Sequence, residues 1–248
     1  MAVWSCPSAQ AGEAQTPDIQ SIQQHIAGRE QGNWRGVLEY FEKFPISSPV
    51  TDSDLTVWDA YFYLRAETWL ERAQQWKNPK AALGDVQKAE QAASAYLNWY
   101  AALKDKANGL PKTPEGSPFA AVAAPGRVRF GAAIFGNALL AQGQPDRVIS
   151  EFGKFPREWI GIEVVRIWKS AAAYEYARTG ETPLTDLQLI QNNLSRKSET
   201  AAAVKAFASN VLLVDGALAP ASPTLPADWK PLVELCRAVA AIPLPAGR

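Results

Sequence analysis

The feature that most constrains this chain is a likeness to itself. Moved along by 111 residues, the sequence lays Gly32 on Gly143, Val37 on Val148, Phe41 on Phe152, Lys43 on Lys154 and Phe44-Pro45 on Phe155-Pro156. A shift of 110 then brings Trp58, in "LTVWDAYFYLRAETWL", onto Trp168, in "VVRIWKSAAAYEYA". Two matches in the same order at nearly the same spacing point to internal duplication, and a duplication has to be recognised before a fold class is named. The apolar residues of the matched stretches recur at helical spacing, so the repeated unit is helical.

The first half reads as four helices. Pro17-Asp18 opens one that runs to Gln31, and Trp34 to Phe44 forms its short partner, stopped by Pro45. Asp52-Ser53-Asp54 offers N-cap oxygens to a long helix ending near Trp76. Asn78-Pro79 starts the fourth, in the Ala-rich amphipathic stretch "KAALGDVQKAEQAASAYLNWYAALKDKA". Residues 107–127 carry Pro111, Pro114, Pro118 and Pro125 among glycines, which forbids a continuous helix. Beyond them, helices are predicted at 128–142, 145–155, 160–179 and 183–195, then over "ETAAAVKAFASNVLLVDGAL" and from Asp228 to Ala241. Strand-like alternation is lacking, so the expected class is all-α. The expected organisation is an N-terminal segment 1–16, a first half 17–106, a connection 107–127, and a second half 128–248 closed by capping helices.

Composition narrows the function. In 248 residues, 47% are hydrophobic, enough to fill a sizeable core. Lys+Arg and Asp+Glu both number 25, so no overall field draws the protein to nucleic acid, and none is expected as a partner. No apolar run approaches the roughly 20 residues of a membrane-crossing helix. Two cysteines, Cys6 and Cys236, and one histidine, His25, cannot supply a clustered metal site; no metal or cofactor is expected. The cysteines are read as separate thiols rather than a pair.

Ala9-Gln10-Ala11 has the form that precedes a signal-peptidase cut, without the apolar stretch that should come before it. A signal-peptide remnant and an ordinary disordered N-terminus both stay open. "VWSC" also resembles a lipoprotein box ending at Cys6, which would make Cys6 a lipid anchor. These features lean toward an exported, periplasmic or cell-envelope location.

The stretch "GNALLAQGQPDRVISEFGKFP", residues 136–156, resembles a tetratricopeptide (TPR) repeat, a helix–turn–helix of about 34 residues with small residues at the crossing and Pro at the end. Gly136 stands at the small position, Leu139 and Phe152 at the aromatic ones, Gly143 in the turn, Val148 at the usual Ala and Pro156 at the terminator. The terminator comes about a turn early, and Ala132 replaces the usual Trp. "IWKSAAAYEYARTGETPLTDLQLIQNNL" is similar, with Ala173, Tyr176 and Gly180 in those roles. In the first half His25 replaces the small residue, so the motif is clearest over 128–195.

The resemblance implies a right-handed TPR-like α-solenoid of antiparallel helix pairs, whose concave face commonly holds a peptide or partner protein. In that frame Asn137, Leu140, Tyr174 and Arg178 face the groove. Arg178 then meets a carboxylate while Asn137 and Tyr174 bond a partner's backbone. Tyr174 as core and Arg178 as a solvated last-turn cation is the bland alternative. A second reading takes Tyr61, Arg65 and Trp69, one helical stripe, as a small-ligand or glycan site. A third would pair carboxylates among Glu67, Glu71 and Glu90 for hydrolysis. Catalysis is not expected: His25 has no acid partner in sight, and no nucleophile elbow, phosphate loop or zinc-protease string occurs. The reading is therefore a non-catalytic, protein- or peptide-binding scaffold.

Overall fold

The computed structural model describes residues 16–44, 55–108, 125–174, 184–196, 198–218 and 226–243. Among them are ten α-helices and no strand: α1 (Ile19–Glu30), α2 (Trp34–Phe41), α3 (Leu55–Gln75), α4 (Pro79–Asn108), α5 (Pro125–Ala141), α6 (Pro145–Phe152), α7 (Ile162–Ala173), α8 (Asp186–Arg196), α9 (Ser198–Leu218) and α10 (Trp229–Ala241). A 3-10 turn, Arg157–Trp159, leads into α7. The all-α expectation holds for the described residues. No helix of the described residues is long and apolar enough to cross a membrane.

Local chemistry explains the boundaries. The Asp18 carboxylate accepts from Ser21 N at 2.8 Å, capping α1. Asn78 does the same for α4, accepting from Lys80 N at 2.9 Å. The caps assigned to Asp52-Ser53-Asp54 lie outside the described residues. α5 starts at Pro125, earlier than expected, because a proline at the first helical position loses no hydrogen bond. α2 and α6 stop at Phe41 and Phe152, three residues short of the Phe-Pro pairs. A residue before proline is pushed out of the helical region, so Phe44 and Phe155 leave the helix and turn into the core.

The residues matched by the shift of 111 share local geometry. α1 and α5 end in the same turn: Gly32 has φ +80° and Gly143 φ +71°. In the first, Gly32 N donates to Arg29 O and Asn33 N to Gly28 O, each at 2.9 Å. In the second, Gly143 N donates to Leu140 O at 2.9 Å and Gln144 N to Leu139 O at 3.0 Å. Both are Schellman turns, which need a left-handed residue at this point. Val37 and Val148, Phe41 and Phe152, Phe44 and Phe155, and Trp58 and Trp168 are all buried. The entry to the next helix differs: the Asn33 side chain caps α2, whereas α6 relies on Pro145.

Packing follows the chain in order. Each helix from α1 to α8 lies against the next, and α1 also touches α3, α3 touches α5, and α5 touches α7. The order then changes, since α9 folds back onto α6 and α10 lies against α7, α8 and α9. The larger apolar cluster runs from Ile22 to Val239, and a smaller one gathers Leu38, Trp69, Ala73, Val86, Ala89 and Ala138. Two glycines sit at tight helix contacts. A Cβ on Gly131 would lie 2.5 Å from the Tyr96 ring, and one on Gly136 2.4 Å from Phe152 Cζ and 2.9 Å from Ile167 Cγ2. At the position matching Gly136, His25 instead stacks on Tyr40 with ring centres 3.9 Å apart. Its Nδ1 sits 2.7 Å from the Ser21 carbonyl, an acceptor, so that nitrogen carries the proton.

Candidate functional site

Of the four residues expected to face a concave groove, three lie among the described residues. Asn137 is exposed on α5, on one stripe with Phe130 seven residues earlier. Leu140 is half-buried and packs on the core. Tyr174, just past the end of α7, is half-buried. Arg178 lies outside the described residues, as do Tyr176, Gly180 and Cys6. Cys236 is a free, buried thiol whose pKa burial pushes up to about 12.

The stripe Tyr61, Arg65 and Trp69 is spent on the fold. Tyr61 is fully buried, its hydroxyl donating to Tyr40 O at 2.8 Å and accepting from Phe44 N at 3.2 Å. It thereby satisfies the backbone where the chain leaves α2. Glu42, also at that exit, takes a two-point grip on Arg65, at 2.7 and 3.3 Å, and accepts from Trp69 Nε1 at 2.9 Å. The stripe is thus the seam by which α3 holds the end of α2.

The three glutamates divide between two places. Glu67 and Glu71 share Arg29 of α1, at 3.0 and 3.1 Å, and Tyr63 donates to Glu67 at 2.5 Å. Glu90 accepts from Gln142 at 2.6 Å and Arg147 at 2.7 Å, tying α4 to the turn between α5 and α6. A fourth acid that sequence reasoning missed is more deeply placed. Asp59 is 1% exposed, accepting from Tyr96 at 2.7 Å and from Arg127 at 2.8 Å. Loss of solvent raises its pKa despite both bonds.

The clearest surface feature is an open cleft between α2 and the end of α3, lined by Trp34, Arg35, Leu38, Arg72, Gln75 and Trp76. Trp76 is 44% exposed, yet it is held: its indole N–H donates to Asp85 at 2.7 Å, and the Arg72 guanidinium lies 5.6 Å from its ring centre. Arg72 is itself fixed by Asp85 at 3.1 Å and lies 5.5 Å from the ring of Trp69. Trp34, the first residue of α2, and buried Leu38 one turn on supply the apolar floor. A side chain that is exposed but immobile loses little entropy when something packs against it. The cleft holds no acid among its lining residues.

Sequence reasoning missed this cleft because Trp34 and Trp76 are 42 residues apart and no spacing rule links them. The available signal was Trp76 itself, a tryptophan at a helix end between Gln75 and Lys77, where the apolar stripe has already stopped. Compared with family models, curated proteins and solved structures, the chain matches none.

Proposed function

We propose that the protein is a non-catalytic scaffold that holds a protein or peptide partner, built as a right-handed TPR-like solenoid of antiparallel helix pairs. The sequential contacts from α1 to α8, with α1, α3, α5 and α7 touching in turn, support that architecture, because stacked helix pairs contact only their neighbours. The returning helices α9 and α10 then act as the cap that such a stack needs at its end.

The observation that carries the binding role is the immobilised, half-exposed Trp76 in an open cleft. Rigid aromatic anchors in open clefts are what peptide-binding surfaces present. The face of Asn137, Leu140, Tyr174 and Arg178 is the second proposed contact surface. By contrast, the Tyr61–Arg65–Trp69 stripe has its polar groups engaged by Tyr40, Phe44 and Glu42, and so offers little to a small ligand or glycan.

Affinity capture from the source cell tests the reading, using the wild type beside Asn137→Ala/Arg178→Ala and Trp76→Ala variants. A stoichiometric protein partner, lost with either variant, is the expected result. No partner, together with a rise in Tm on adding a sugar or small ligand, would overturn it.

A further inference from the structure

We infer that the Trp34–Trp76 cleft takes an acidic peptide segment bearing one large apolar or aromatic anchor. This rests on the scaffold reading and narrows it to a site and a partner chemistry.

Charge selects the partner. The chain is neutral overall, and the unpaired charge beside the cleft is positive. The cleft's only charged lining residues are Arg35 and Arg72, and Lys77 and Lys80 stand exposed directly beyond Trp76. The acids that touch the lining are already engaged: Glu39 lies 2.8 Å from Arg35, and Asp85 is bound by Arg72 and Trp76. Neither lysine has a carboxylate partner among the described residues. Both lining arginines are therefore paired, and the uncompensated positive charge is that of Lys77 and Lys80, which follow Trp76 in the chain.

Shape selects the anchor. Trp34, Leu38 and Trp76 form an apolar surface open to solvent on one side, and Asp85 and Arg72 fix one wall before anything binds. An aromatic or large aliphatic side chain seated there covers the free face of Trp76, while flanking carboxylates reach Lys77 and Lys80. Gln75 supplies both an amide donor and an acceptor to the backbone of an extended segment. Rim charges of this kind act mainly on association rate and are screened by salt.

The test pans a phage-displayed library of random peptides against the full-length protein. Enriched sequences are then synthesised with a fluorescein label, and binding is read by anisotropy. The expected peptides are acidic with one aromatic or large aliphatic residue. Trp76→Ala should weaken their binding about tenfold or more, the loss typical of a central anchor. Lys77→Glu/Lys80→Glu, a change on exposed positions that leaves the core intact, should weaken it severalfold in dilute salt and by less in concentrated salt. Circular dichroism confirms that each variant is folded.

Enriched peptides that are neutral or basic, or that bind Trp76→Ala as tightly as wild type, would overturn the cleft assignment and leave the scaffold reading standing. Trp76-dependent binding of an acidic polysaccharide with no peptide enriched would overturn the peptide occupant. No enriched peptide, together with an empty affinity capture, would remove both readings.

Discussion

Gly136 faces the Phe152 ring so closely that a Cβ would sit 2.4 Å from Phe152 Cζ. The ring has nowhere to retreat, because Phe155 and Phe207 lie 4.7 and 5.8 Å from it, centre to centre, and Phe152 is fully buried. Gly136→Leu is expected to destabilise the fold by about 1–3 kcal/mol through overpacking. For a chain of this size that lowers Tm by roughly 2–4 °C per kcal/mol. Gly136→Ala should cost less, since alanine regains up to about 1 kcal/mol of helix propensity. If the Phe152 ring is the obstacle, Phe152→Leu combined with Gly136→Ala will cost less than the two changes summed. An unchanged Tm for Gly136→Leu would refute the close crossing.

The paired turns at Gly32 and Gly143 predict matched penalties. At φ +80° and +71° an alanine is strained in the left-handed region by about 1–2 kcal/mol. No neighbour crowds either position, so the loss measured in urea unfolding reports the backbone alone. Asparagine should be tolerated better than alanine at both sites. The two alanine changes should add, within about 0.5 kcal/mol, because they share no partner.

Tyr61→Phe separates a structural tyrosine from a ligand-binding one. It removes the hydroxyl that serves Tyr40 O and Phe44 N, leaving two backbone groups without that partner. The expected cost is about 1–3 kcal/mol in thermal or urea unfolding. Peptide capture at the Trp34–Trp76 cleft should be unchanged in the folded variant. Loss of binding at full stability would return the stripe to the list of sites.

Asp59 gives the pH dependence a sign. Burial raises its pKa above the ordinary 3.8, overriding the bonds from Arg127 and Tyr96. The folded state then holds this proton more tightly than the unfolded chain does. Its stabilising contribution is present below the unfolded pKa and is lost as pH rises through the folded one. Urea unfolding of wild type and Asp59→Asn at steps from acid to neutral pH should show the wild-type advantage shrinking as pH rises. An advantage that grows with pH would mean that the Arg127 pair outweighs desolvation.

Helix existence was legible in the sequence because it is a local property. Caps such as Asp18 and Asn78, the turn glycines Gly32 and Gly143, and 3.6-residue apolar spacing act over a few residues and were read where they stand. The Phe-Pro ends were read three residues too late, since the helices stop at Phe41 and Phe152. Trp58 and Phe62, four apart on one face of α3, are both buried. The stripe of Tyr61, Arg65 and Trp69 was not decidable, because its fate depends on Glu42, which approaches only when α2 has packed on α3.

The sequence by itself determined ten helical segments, two matching turn glycines and a neutral chain, since each follows from neighbours in the chain or from summed composition. The tertiary structure decided what lay between them. It brought Trp34 to Trp76, buried Asp59 against Tyr96 and Arg127, and sent α9 back onto α6. Those pairings join residues tens of positions apart, and they are fixed by which apolar faces bury each other best, a choice made by the whole packed core and by no short stretch of it.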